Sequence, residues 1–170
     1  MLETSEEICN NTTGTCPPQV ACLSTRYADF DDLETVLELY MNALAEIKDY
    51  VAKPNPDKCR NVVYYSWASA PCVLIENQGE IVGFAGLATA TPEHSDTPYL
   101  REYMFYIKPE NRSAKAARFL SESVKAVADK FKLLLSMSHM VLGHDVAKKD
   151  KFLKRWGYDV VSLQVRYNYE

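Results

Sequence analysis

Apolar positions change their period several times along this chain, and each change predicts an element. Val20 to Tyr27 reads as a first strand. Leu33, Val36, Leu37, Tyr40, Leu44 and Ile47 share one helical face, which predicts a helix from Leu33 to about Asp49. Asp31 and Glu34 before it have capping-box spacing, with aspartate where serine or threonine is usual. Pro54 and Pro56 interrupt the chain. A second helix is expected from about Asp57 to Ala68, although Val62-Val-Tyr-Tyr65 also suits the start of a strand. Cys72–Glu76 and Glu80–Ala88 are apolar runs on either side of Asn77-Gln-Gly79, which is a hairpin signature. Thr89 to Pro98 is a polar loop.

The stretch that organises the chain comes next. Tyr99 to Ile107 is dense in aromatic and branched residues, as a buried strand should be. Lys108-Pro-Glu-Asn111 stops it, because proline cannot donate to a sheet ladder. A helix then opens at Arg112-Ser-Ala-Lys-Ala-Ala-Arg118, with Leu120, Val124, Val127 and Phe131 on one face. A helix N-terminus after a tight loop presents unpaired N–H groups and the positive end of a dipole, which suits a phosphate. Ser113, Ala114, Ala116 and Ala117 keep side chains small there, while Arg112 and Lys115 add charge.

Leu133 to Ser138 reads as a short buried strand, and Met140 to Val146 as a loop carrying His144. Ala147 to Trp156 is a basic helix capped by Gly157, and Tyr158 to Tyr169 closes the chain as one or two strands. Residues 1–19 read as a flexible polar arm, so residues 20–170 form the single domain expected at this length. No repeat of 20–50 residues recurs.

Composition narrows the function. No apolar run approaches the roughly 18 residues of a membrane span, and the acidic start lacks a signal-peptide core. Five cysteines (Cys9, Cys16, Cys22, Cys59, Cys72) without a C-x-x-C pair suggest reduced thiols and a cytoplasmic protein with no metal site. Residues 1–100 hold 5 Lys/Arg against 15 Asp/Glu, whereas residues 101–170 hold 14 against 8. The positive half suits an anionic cofactor and the acidic half a cationic amine; chance clustering on a solvated surface is the alternative. The overall acidity argues against nucleic-acid binding, and nothing marks a membrane partner.

Arg112-Ser-Ala-Lys-Ala-Ala117 resembles the acyl-CoA pyrophosphate loop of the GNAT superfamily of N-acetyltransferases, whose pattern is Arg/Gln-x-x-Gly-x-Gly/Ala. Arg112 and Ala117 match; Lys115 stands at a glycine position, and the Lys-Ala-Ala ending resembles virus-encoded members. Ile81-Val-Gly-Phe-Ala85 after the glycine turn resembles the family's second and third strands. Phe152-Leu-Lys-Arg-Trp-Gly-Tyr158 resembles its Phe-Tyr-x-Lys-x-Gly-Phe signature, with Leu153 in the tyrosine's place. The resemblance covers residues 20–170 in order. It implies a mixed α/β, mostly antiparallel sheet of six to seven strands flanked by about four helices.

It also implies an acetyl-CoA-dependent N-acetyltransferase acting on a primary amine. The cofactor would lie against Tyr106, Ile107, Arg112, Ser113, Ala114, Lys115, Ala116, Ala117 and Ser138, with the Ile107 amide facing the thioester carbonyl. Glu102, His139 and His144 are candidate bases for the amine's proton. Period-two alternation groups Glu102 with Leu100, Met104 and Tyr106 unless a bulge intervenes, and a charged residue at the strand's exposed start is the bland alternative. With Leu153 in the acid's place, Tyr106, Tyr158, Tyr167, Tyr169 or water would protonate the leaving thiolate. The second reading is a non-catalytic protein of this fold that binds acyl-CoA or a host protein; a homodimer is compatible with either.

Overall fold

The computed structural model describes residues 22–47, 53–137, 151 and 153–158. Its elements are β1 (Leu23–Tyr27), α1 (Leu33–Glu46), α2 (Pro56–Ser69), β2 (Val73–Asn77), β3 (Glu80–Ala90), β4 (Tyr99–Ile107), α3 (Ala114–Phe131) and β5 (Leu135–Met137). Short 3₁₀ turns occupy Phe30–Asp32 and Pro109–Asn111. The strands form one sheet in the order β1-β2-β3-β4-β5, antiparallel except for the parallel pair β4–β5. This is the mixed, mostly antiparallel architecture expected, with five strands among the described residues. The arm at 1–19 and the closing strands expected after Tyr158 lie outside those residues.

Local chemistry explains the boundaries. The hairpin turns on Gln78 and Gly79, both at positive φ (54° and 81°), the twist that matches a two-residue turn to the flanking strands. Asn55 caps α2 by accepting from the Lys58 amide, and Pro56 occupies the first turn, where its missing N–H costs nothing. The helical reading of Val62–Tyr65 is the one realised. The capping box falls two residues before the expected pair. Asp29 accepts from the Asp31 amide and Asp32 from the Asp29 amide, so a 3₁₀ turn precedes α1. Arg26 explains the shift, since its guanidinium grips Asp32 at 2.6 and 2.8 Å and Glu76 at 2.7 Å. Those bonds hold the Asp32 carboxyl below its usual range.

Each sheet face buries its own core. On one face Leu120, Val124, Val127 and Ala128 of α3 pack on Val73, Ile75, Val82, Ala85, Leu87, Leu100, Phe105 and Ile107. Phe131, expected on that stripe, is 47% exposed, and Ala128 takes the last buried place. On the other face Val36, Leu39 and Ala43 of α1 and Val63 of α2 pack on Cys72, Leu74, Phe84, Met104 and Tyr106. α3 ends at Lys132 in the left-handed region (φ 55°), where the Leu133 amide bonds Ala128 O. That turn delays β5 to Leu135, two residues after the expected start. Gly157, at φ 76°, caps a helical end as expected, and Trp156 packs against the α3-side core.

Cys22, Cys59 and Cys72 are free thiols. Cys22 is exposed, whereas burial raises the Cys59 thiol's pKa and raises that of Cys72 much further. A disulfide reagent read by peptide mass should therefore modify Cys22 rapidly in native protein, Cys59 slowly, and Cys72 only on unfolding. Native modification of Cys72 at the rate of Cys22 would contradict this packing. Denatured, unreduced protein should show all five thiols.

Candidate functional site

The site is built where β4 ends and α3 begins. β4 carries one extra residue opposite Gly86 and Leu87, because Met104 pairs with Gly86 while Glu102 pairs with Leu87. Tyr103 is that extra residue, and it reverses the alternation of faces. Leu100, Glu102, Phe105 and Ile107 therefore look toward α3, and Met104 and Tyr106 toward α1 and α2. The simple grouping of Glu102 with Met104 and Tyr106 is corrected accordingly. Glu102 is also fully buried, so it is not the exposed start of a strand.

The end of β4 offers backbone groups to its outer edge. Lys108 N–H donates to Val82 O on β3 at 2.8 Å. One residue back in the extended strand, the Ile107 amide and carbonyl point to the opposite edge. β5 pairs with β4 only at Leu100, Arg101 and Glu102, so Tyr103–Ile107 has no ladder partner on that edge among the described residues. The Ile107 carbonyl accepts from Arg112 Nε at 2.8 Å. Its amide faces the same edge.

The loop then turns through Pro109–Asn111 into α3. Ser113 caps the helix, its Oγ accepting from the Ala116 amide at 3.0 Å. Ala114 and Lys115 begin the helix, so their N–H groups have no intrahelical partner, and 18 residues of aligned dipoles stand behind them. Ser113, Ala114 and Lys115 are exposed, as a phosphate cradle needs. Ala116 and Ala117 are buried against the sheet, where they set the close approach of helix to strand.

Arg112 does something other than point at that cradle. Its Nη2 bonds Glu46 Oε2 at 2.6 Å, and its guanidinium carbon lies 5.5 Å from the centre of the Tyr106 ring. The Tyr106 hydroxyl donates to Glu46 Oε1 at 3.0 Å. Burial, then the bonded Glu46 carboxylate, push the Tyr106 phenol up to about 12. Tyr106 is thus committed to Glu46 and turned away from the face that holds Glu102.

Near Glu102 the structure brings in Tyr158, whose hydroxyl lies 2.8 Å from Ser121 Oγ and whose ring sits under Lys125 Nζ at 4.4 Å. Lys125 also donates to the Trp156 carbonyl, fastening residues 153–158 to α3. Burial pushes the Tyr158 phenol up, the Ser121 bond opposes this, and the Glu102 charge adds to it. Of the other expected residues, Ser138, His139, His144, Tyr167 and Tyr169 lie outside the described residues. No cluster suited to a metal ion occurs among the described residues, and none of their helices is long and apolar enough to cross a membrane.

Two features escaped the sequence reading. Glu46 is one, the last residue of α1 and the partner of the loop arginine. The other is a polar cluster in the α1–α2 core, where Tyr103 Oη and Trp67 Nε1 are buried beside Ser66 and Cys72. A Cβ on Gly86 would lie 2.5 Å from the Tyr103 hydroxyl, so glycine leaves that phenol its space. The acidic half is partly consumed by ion pairs: Asp32, Glu34, Glu46, Glu76 and Glu80 each hold an arginine or lysine.

No protein-family model matches the sequence, and no curated protein matches it. Solved structures do share the architecture. An acetyltransferase of Trypanosoma brucei superposes with a TM-score of 0.61 at 17% identity, over 86% of this chain and 99% of that one. A predicted acetyltransferase of Clostridium acetobutylicum with acetyl-CoA gives 0.64 at 15%, over 86% and 96%. An aminoglycoside acetyltransferase from an uncultured soil metagenomic sample, in complex with sisomicin, gives 0.59 at 13%, over 87% and 95%.

Proposed function

We propose that this chain, whose fold is that of the GNAT acetyltransferases, moves an acetyl group from acetyl-CoA to a primary amine. One observation carries the reading. Among the described residues Ile107 has no ladder partner on the outer edge of β4, and Ala114 and Lys115, exposed residues whose N–H groups lack intrahelical partners, lie across one short loop from it. An extended acyl-pantetheine arm followed by a diphosphate matches both. Acetyl-CoA supplies the activated acetyl group, and the chain supplies position and charge.

In this reading the amine nitrogen attacks the acyl carbon, the carbon–sulfur bond breaks, and the amine's proton passes to a protein group. The Ile107 amide donates to the carbonyl oxygen as negative charge develops there. Such a preorganised donor is worth a factor of about a hundred or more in acyl transfer. Glu102, His139 or His144 takes the amine's proton. Tyr158, Tyr167, Tyr169 or water returns one to the thiolate; Tyr106 drops out because Glu46 holds its hydroxyl. An acceptor with positive charge, a polyamine or a lysine-like amine, fits the acidic half, and kcat/KM for it falls as salt screens the attraction. Leu153, at the position of the family's acidic tyrosine, favours the second reading, an acyl-CoA-binding protein without catalysis.

Calorimetry with CoA and acetyl-CoA, followed by thiol release across a panel of amines, separates these. Acetyl-CoA should bind, and at least one amine should release thiol at a rate that rises with pH through the base's pKa. Glu102→Gln should flatten that rise while acetyl-CoA still binds. An intact profile in the variant would pass the proton to a histidine or to water. Binding without thiol release from any amine would establish the non-catalytic reading, and no binding would refute both.

A further inference from the structure

Glu46 closes α1, and each of its carboxylate oxygens is bonded to a residue flanking the proposed cofactor site. Oε1 accepts from Tyr106, the residue before the Ile107 amide; Oε2 accepts from Arg112, the residue before the Ser113 cap. Arg112 completes the circuit by donating from Nε to the Ile107 carbonyl. The Glu46 and Arg112 side chains are 31% and 27% exposed, so the pair is shielded more than a surface ion pair. It is also oriented by a third partner and a ring face. The pair between Glu34 of α1 and Arg60 of α2 is more exposed, at 70% and 44%.

We propose that Glu46 is a positioning residue for the phosphate loop. Through Arg112 and Tyr106 it fixes the end of β4 against the start of α3, and so couples the end of α1 to occupancy of the cofactor site. The proposal rests on the acyl-CoA reading for its ligand but not for its mechanics. Coupling of this kind is reciprocal, so a ligand that orders the loop also orders the end of α1.

Hydrogen exchange and CoA calorimetry on the full chain test it together. In Glu46→Gln, the hydrogen-bonded amides of Lys108, Asn111, Arg112, Ala116 and Ala117 should exchange about tenfold faster and the CoA dissociation constant should rise about tenfold, the loss expected for one charge-assisted hydrogen bond of about 1.4 kcal/mol. Glu46→Asp should recover part of both, which a general loss of stability would not. KM for acetyl-CoA should rise in Glu46→Gln with kcat little changed. Glu34→Gln should move none of these. The double variant Glu46→Gln/Arg112→Gln should bind CoA no more weakly than the worse single variant, because both break one circuit.

Unchanged exchange in Glu46→Gln would overturn the positioning role. So would tighter CoA binding, since Glu46 would then compete with phosphate for Arg112. Losses that simply add in the double variant would overturn it too. If the wild-type chain binds no CoA, the acyl-CoA reading and the coupling to cofactor fall, while the exchange data still decide whether Glu46 fixes the loop.

Discussion

Gly83→Ala should lower the stability of this protein by about 3 kcal/mol, a loss in the range of severe core overpacking. Gly83 lies opposite Ile107 in the β3–β4 ladder. A Cβ there would stand 2.4 Å from the Tyr106 carbonyl oxygen and 2.9 Å from Ile107 Cα. Both obstacles are main-chain atoms, so no side-chain rotation relieves the clash. β4 must move away from β3, which strains the Lys108 amide bond to Val82 and shifts the end of the strand. The same movement carries the Ile107 amide off its place, so CoA affinity should fall with stability. Urea unfolding followed by circular dichroism reads the first effect and calorimetry the second. A midpoint within error of wild type would show that the strands are not so closely apposed.

Arg112→Glu should cost about a hundredfold or more in CoA affinity, the largest effect expected of any exposed or half-exposed position in the loop. The sequence alone motivates this change through repulsion between the new carboxylate and a diphosphate. The structure adds a second reason. The substitution removes the bonds to Ile107 O and Glu46 and sets a new carboxylate beside Glu46, the residue it used to neutralise. The loop is then pushed from α1 as well as from the ligand. Arg112→Gln removes the cation without adding repulsion and should fall between wild type and Arg112→Glu. Titration calorimetry with CoA orders the three. Equal affinity in all of them would mean that the ligand does not bind at this loop.

Much of this fold could be read from the chain. Tyr99–Ile107 is the strand whose bounds were expected, because its apolar density, the following proline and the helical period of Leu120, Val124 and Val127 all agree. The hairpin was legible for a similar reason, since Gly79 accepts a positive φ that other residues resist. The site was legible only in part. Ser113, Ala114 and Lys115 are displayed at a helix start as the motif suggests. The direction of Arg112 was not legible, because it depends on a carboxylate 66 residues earlier in the chain. Nor was the burial of Glu102, since its side of β4 depends on an extra residue that periodicity cannot locate. Asp32 shows the same limit on a smaller scale: Arg26 recruits it, and the capping pair moves upstream.

That extra residue in β4 also makes both cores depend on the place of one irregularity, in a way the strand's composition does not reveal. On one side of Tyr103, Leu100 and Glu102 face α3; on the other, Phe105 and Ile107 do, and they are the third and fifth residues after Glu102 rather than the second and fourth. The strand in effect holds two reading frames joined at a single splice. Regular pairing through the join with Tyr103 kept in the strand would send Phe105 and Ile107 to the α1–α2 layer and Met104 and Tyr106 to the α3 layer. Tyr106 would leave Glu46, and the two cores would trade contents of unlike shape. Removal of Tyr103 itself would leave every other residue on its present face, but a straightened join that still contains it has no small version.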